Sequence, residues 1–233
     1  MMEITIIPVA HVSKKSVQKV RKAIADRKPD VVAVELDAGR LSAMLAKREP
    51  TWREMLSQPF GAALYLFQKA VGKMLNILPG SEMLAAVEAA HESRIPIALI
   101  DQEISVTMGR LRGIPLSEKI SLASQVALTP LAFIPNPFAR RKPLDIEEMS
   151  KAKNLGVFFK EFSRQLPNIY RVLVEERDEH MTSQILRMNA ENVVVVVGAG
   201  HALGMARRIC ARGGERLGGL RFRVSKLPPG LAS

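Results

Sequence analysis

The sequence predicts an α/β fold: a mostly parallel central sheet of four or more strands, flanked by helices, with a large helical insertion over the C-terminal rim of the strands. Two observations carry this. Four short runs rich in Val and Ile (Ile4 to Ala10, Val31 to Val34, Ile95 to Ile100, Val193 to Val197) turn polar only at their ends, as strands buried on both faces of a parallel sheet do. Between Asp101 and Asn192 no such run occurs. A gap of about ninety residues is too long for a loop in a compact domain, so it predicts a helical insertion at roughly 102–190. The whole chain, 1–233, reads as a single domain.

Taken in order, the first unit is strand, helix, strand. Ser13 is the expected N-cap of a helix ending near Arg27, and Lys28-Pro29-Asp30 breaks it before the second strand. Such a crossover between parallel strands is expected to be right-handed. Asp37 to Glu49 reads as helix, and Phe60 to Leu78 as an amphipathic stretch rich in Met, Phe and Leu, a core or dimer contact. Ser81 is positioned to cap a helix from Glu82 to Ser93, which leads into the third strand. Within the insertion, Ile120 to Ala139 is uncharged but carries Pro130, Pro135 and Pro137. It reads as a segment that is buried, touches a membrane or forms a dimer. Arg140 to Pro143 reads as an exposed loop, and Ile146 to Met188 as long helix interrupted near Pro167.

Composition narrows the function classes. One cysteine, Cys210, excludes an internal disulfide and a CxxC zinc site. The start shows no signal peptide, which points to the cytoplasm or the cytoplasmic face of a membrane. The net charge is +11, and His201 to Ser233 holds seven Lys/Arg against one acid, Glu215. Aromatics are only 5% and do not interleave with the basic residues, so nucleic acid is not the expected partner. A solvated basic helix and strand is the simpler reading of this end.

Chemistry gathers at the strand ends, where ligands bind in parallel sheets. The four runs lead into His11, Glu35, Asp101 and, through Gly198-Ala199-Gly200, His201. Neutral imidazoles with carboxylates suit a divalent transition metal such as manganese, cobalt or zinc. His11 and His201 are the first candidate ligands. Glu35 is a ligand or the general base on a metal-activated water. Asp101 is a ligand or an acceptor that orients an imidazole. After Pro167, Val174, Met181, Ile185 and Met188 form an apolar helix stripe, with Arg177 and Asp178 on or beside it. Charges facing a core need partners there, as a structural ion pair, a snorkelling arginine or part of the site. Arg177, Asp178, Gly198 and Gly200 are the candidate substrate-binding residues, with Arg177 suited to a developing oxyanion. Asp37 and Arg40 read as helix N-terminal and surface residues. The GxGxxxG spacing from Gly198 to Gly204 does not match a dinucleotide fingerprint.

Together these segments resemble the TraB family, which includes bacterial pheromone-shutdown proteins and the animal TIKI proteins. The matching stretches are Ala10-His11-Val12-Ser13 with Ser16-Val17, Pro29 to Asp37 with Arg40, Pro79 to Met83, Ile100-Asp101, Glu175 to Asp178 and Gly198 to His201. The family pattern, two GxxH motifs with a glutamate and an arginine, maps onto His11, His201, Glu35 and Arg177. The first motif departs from it, reading Pro8-Val9-Ala10-His11 with proline where the family has glycine. The resemblance also extends to erythromycin esterase-like and ChaN-like folds. It implies a metal-dependent hydrolase of the metallopeptidase type acting on a peptide, with membrane association through a further C-terminal segment. Two other expectations stand beside it: a non-enzymatic module that binds or sequesters a peptide, and a haem or iron handler.

Overall fold

A computed structural model describes residues 2–9, 14–46, 81–132, 152–216 and 221–224. His11, Ser13, the stretch from Phe60 to Leu78, Pro79-Gly80 and Arg140 to Pro143 lie outside the described residues. The strands are β1 (Glu3–Val9), β2 (Val31–Val34), β3 (Ile97–Leu99), β4 (Asn192–Gly198) and β5 (Arg221–Val224). The helices before the insertion are α1 (Lys14–Arg27), α2 (Ala38–Leu45) and α3 (Ser81–Glu92). Within it come α4 (Ile104–Arg112), α5 (Leu116–Ala132), α6 (Ala152–Gln165), α7 (Pro167–Tyr170) and α8 (Glu176–Leu186). The last helix, α9 (Ala199–Arg216), follows β4 directly.

All strands are parallel, in the order β3-β2-β4-β1-β5. The expectation of four or more strands in an α/β fold therefore holds. β4, the most Val-rich run, sits at the centre with β1 and β2 on its two sides. Its side chains alternate between two apolar layers. Val193, Val195 and Val197 join Ile4, Ile6, Met181, Ile185, Met205 and Ile209 on the face covered by α8 and α9. Val194 and Val196 join Ile7, Val9, Val32, Val34, Val20, Ile24 and Met83 on the face covered by α1 and α3. Both faces are dry, which is why these strands carry no polar alternation. β3 departs from that pattern. Its three residues are only half-buried, because among the described residues it has a neighbouring strand on one side alone. Full burial returns at Ile100, just before Asp101.

Pro8 fits where it stands. β5 pairs with β1 only from Glu3 to Ile6, so among the described residues Pro8 has a neighbour only on the β4 side, opposite Val197. A residue without an N–H is tolerated where one side of a strand is open.

Off the sheet, Met108, Leu111 and Ile114 pack with Leu166, Ile169 and Val172 in a third apolar cluster. Glu118 of α5 anchors it, accepting from the backbone N–H groups of Asn168 and Ile169 at 3.1 Å each. Those groups open α7, whose first residue is Pro167, and a carboxylate there meets the unpaired donors and the positive end of the helix. The Pro167 break leads through α7 into a π-helical turn, Arg171–Glu175. Its last bond runs from the Glu176 N–H to the Arg171 carbonyl, five residues back. α5 leaves Leu116 and Ile120 exposed. No helix among the described residues is long and apolar enough to cross a membrane.

Candidate active site

Glu35 follows β2 directly, and its backbone N–H still bonds to Val196 of the central strand. Asp101 follows β3 by two residues, with its N–H on the Leu36 carbonyl. His201 lies in the first turn of α9, immediately beyond β4. All three sit past the carboxyl ends of adjacent strands. From the opposite side α8 delivers Arg177 and Asp178, just after the π turn. Such turns recur at functional sites because one extra residue re-aims the helix beyond it.

Arg177 ties the two acids together. Its Nε donates to Asp101 Oδ1 at 2.9 Å, and its Nη2 to Asp101 Oδ2 and to Glu35 Oε1, both at 2.7 Å. Its Nη1 donates to the Leu173 carbonyl at 3.1 Å. The carboxylates are almost fully buried, with 1% of the Asp101 and 6% of the Glu35 side chain exposed. Burial works against the guanidinium charge, but its hydrogen bonds to Asp101 and the nearby charge of Glu35 outweigh it and raise the Arg177 pKa. Charges expected to face the core thus find their partners there. Glu35 Oε2 accepts the Gly198 N–H at 2.6 Å, so Glu35 also occupies the positive N-terminal end of α9.

A second pair holds His201. Asp178 Oδ1 lies 2.7 Å from His201 Nδ1. An Asp178 carboxylate there favours a proton on Nδ1, and Nε2 lies 3.4 Å from Glu35 Oε1. Burial pushes the Asp178 carboxyl up, while the bond to His201 and the charge of Arg208 pull against that without reversing it. Arg208 Nη1 is 3.5 Å from Asp178 Oδ2 and donates to the Gly204 carbonyl at 3.2 Å.

Two glycines of α9 allow this closeness. A Cβ at Gly204 would overlap Asp178 Oδ2, and one at Gly200 would run into the ring of Phe159 from α6. Phe159 and Phe162 both stack edge-on against Tyr170, so an aromatic group from the insertion lies against the start of α9 beside His201. Gly204→Ala gains about 1 kcal/mol of helix propensity but overpacks a buried carboxylate, at a cost of about 1–3 kcal/mol. The expected net result is lower stability in urea unfolding, with a change in the His201 ring-nitrogen shifts by NMR.

The sequence-derived candidates divide accordingly. Glu35, Asp101, Arg177, Asp178 and His201 come together at one rim. Gly198 serves it through its backbone N–H, and Gly200 by having no side chain where Phe159 approaches. His11 follows β1 by two residues and lies outside the described residues. Asp37 accepts the Arg40 N–H at 3.0 Å as the N-cap of α2, as read from the sequence. Arg40 is not merely a surface residue, because its Nη1 donates to Asp101 Oδ2 at 2.5 Å. Arg208 was hidden within the basic C-terminal stretch. It stands seven residues after His201, about two helical turns, and so on the same face.

A parallel α/β sheet whose rim buries two carboxylates, an imidazole–carboxylate pair and an arginine clamp defines a class of site rather than one protein. The chain matches the TraB/PrgY/gumN family over residues 3–209, and it belongs to that family. It is 32% identical over 217 residues to an uncharacterised protein of Methanocaldococcus jannaschii, covering 88% of this chain and 53% of that one. It is 29% identical over 241 residues to the TraB domain-containing protein of Bos taurus and 26% to that of Homo sapiens, in each case covering 87% of this chain and 61% of the relative. The chain therefore spans between half and two thirds of these relatives. Among solved structures, it is similar to ChaN of Campylobacter jejuni, described with cofacially bound heme. The TM-score is 0.38 at 14% identity, covering 84% of this chain and 70% of that one.

Proposed function

We propose that the rim is the active site of a metal-dependent hydrolase acting on peptide bonds. The observation that carries this reading is the setting of His201. One ring nitrogen is engaged by Asp178 at 2.7 Å, and the other faces Glu35 Oε1 at 3.4 Å. A carboxylate behind a histidine is the usual support of a metal-ligating imidazole. A nitrogen lone pair set against a carboxylate oxygen is a place for a cation.

His201 and Glu35 offer one such donor each, and among the described residues no group of three His, Cys, Asp or Glu is placed to hold an ion. His11, which follows the strand beside β4, is the proposed further ligand, and Asp101 is engaged by arginine instead. A divalent transition ion would supply Lewis acidity and an acidified water at neutral pH. Glu35 would take a proton from the attacking water. Arg177 and the Gly198 N–H would hold the Glu35 carboxylate in one orientation, and Asp178 would hold the His201 ring.

Metal content of protein purified without chelator tests this, together with turnover of a peptide library before and after chelation. Expected are about one transition-metal ion per chain, its loss in His201→Ala with retained circular dichroism, and cleavage that chelator abolishes. Retained stoichiometric metal in His201→Ala would remove His201 from the site. Peptide binding without cleavage would turn the reading into a sequestering module, and a Soret band into a haem site.

A further inference from the structure

The donor inventory of the two arginines at the rim separates their roles. A guanidinium carries five N–H donors. Arg177 commits four of them inside the protein, to Asp101 twice, to Glu35 and to the Leu173 carbonyl. Little of it remains for a substrate, although the sequence pointed to it for that task. Arg40 differs. It commits one donor, Nη1, to Asp101 Oδ2, and no other side-chain partner of Arg40 occurs among the described residues. Its side chain is 39% exposed, against 16% for Arg177. Both guanidinium groups meet the same oxygen, Asp101 Oδ2, so Arg40 is held beside the clamp with N–H donors that no side chain among the described residues engages.

Glu35 and Asp101 are matched by Arg177 and Arg40, so neither of these carboxylates stands uncompensated against an incoming anion; the other nearby acid is the buried Asp37, whose Oδ1 accepts the Arg40 N–H. Asp101 also anchors the Arg40 side chain, removing part of the entropy cost of ordering it on binding. A fork of free N–H groups on an anchored guanidinium is the geometry that reads a carboxylate or phosphoryl oxyanion.

We infer that Arg40 is the specificity-determining residue of the rim and that it binds an oxyanion of the substrate, in the first instance the C-terminal carboxylate of a peptide. This deepens the hydrolase reading and rests on the same rim, but its test needs no turnover. The full chain is labelled with [15N]arginine, and the Arg40 Nε–H resonance is assigned by its absence in Arg40→Lys. Three probes are titrated: N-acetyl-trialanine with a free carboxylate, its C-terminal amide, and inorganic phosphate.

The expected result is a saturable shift of the Arg40 resonance with the free acid and none with the amide. Arg40→Lys should weaken acid binding about tenfold, the value of roughly one charge-assisted hydrogen bond. Saturation by phosphate alone would uphold Arg40 as an oxyanion site and assign it to phosphoryl groups. Equal shifts with acid and amide, no shift with any probe, or saturation at another arginine while Arg40 stays still would overturn the inference. A shift at Arg40 in protein that cleaves no peptide would count against the hydrolase alone.

Discussion

Arg177→Met is expected to cost the fold about 3–5 kcal/mol, because it leaves the buried Glu35 carboxylate without its arginine and takes one of two arginines from Asp101. Domains of this kind are stable by only about 5–15 kcal/mol, so much of the margin would go with a single side chain. The size follows from burial. Asp101 and Glu35 expose 1% and 6% of their side chains, leaving solvent little access to screen them. Arg40 would remain on Asp101, whereas Glu35 would lose its guanidinium and keep the Gly198 N–H and its contact with His201. Urea unfolding measures the loss. Adding Glu35→Gln to Arg177→Met should recover part of it, since a neutral side chain has less to lose from burial. A double variant no more stable than the single one would mean that Arg177 supports the fold by packing rather than by charge.

Glu35→Gln alone is expected to lower peptide turnover by about 10²–10⁴-fold, the range for loss of a positioned general base. It should also destabilise the fold by about 1–3 kcal/mol, and the reason is geometric. Both Glu35 oxygens accept from donors, Oε1 from Arg177 and Oε2 from the Gly198 N–H. A glutamine must place its NH2 group at one of these positions, donor against donor, so one hydrogen bond is lost whichever way the amide is turned. Glu35→Asp keeps the charge but is shorter, and should fold better than it turns over. Parallel measurement of kcat and of the urea midpoint separates the two effects. Unchanged kcat in Glu35→Gln would remove Glu35 from the chemistry.

Much of this arrangement is legible in the residues themselves. Buried parallel strands write themselves as uninterrupted Val and Ile, so β1, β2 and β4 and the polar residues beyond β2 and β4 could be read directly. Arg177 and Asp178 announced themselves as charges on an apolar stripe. Their partners did not, because Glu35 and Asp101 lie 142 and 76 positions from Arg177 and no local pattern links them. Arg40 looked like a helix-start residue, and it is one; only the fold brings Asp101 to its tip. Gly204 suggested a weak nucleotide motif, yet it makes room for a carboxylate. The one clue was its place on the helix face shared by His201 and Arg208. The π turn has no residue signature, and the basic β5 carries no apolar run to mark it.

The position of β4 has a consequence for how the molecule is made. The two strands that flank it, β1 and β2, end by Val34, while β4 begins only at Asn192. During synthesis at about 5–20 residues per second, the first half of the sheet waits several seconds or more for the strand that joins it. Until then β1 and β2 present open edges, the kind of surface that invites pairing with other chains. Contacts this distant in sequence also make folding slow. The arrival of β4 also brings Gly198 and His201 to Glu35, so these two members join the rim only when the central strand does.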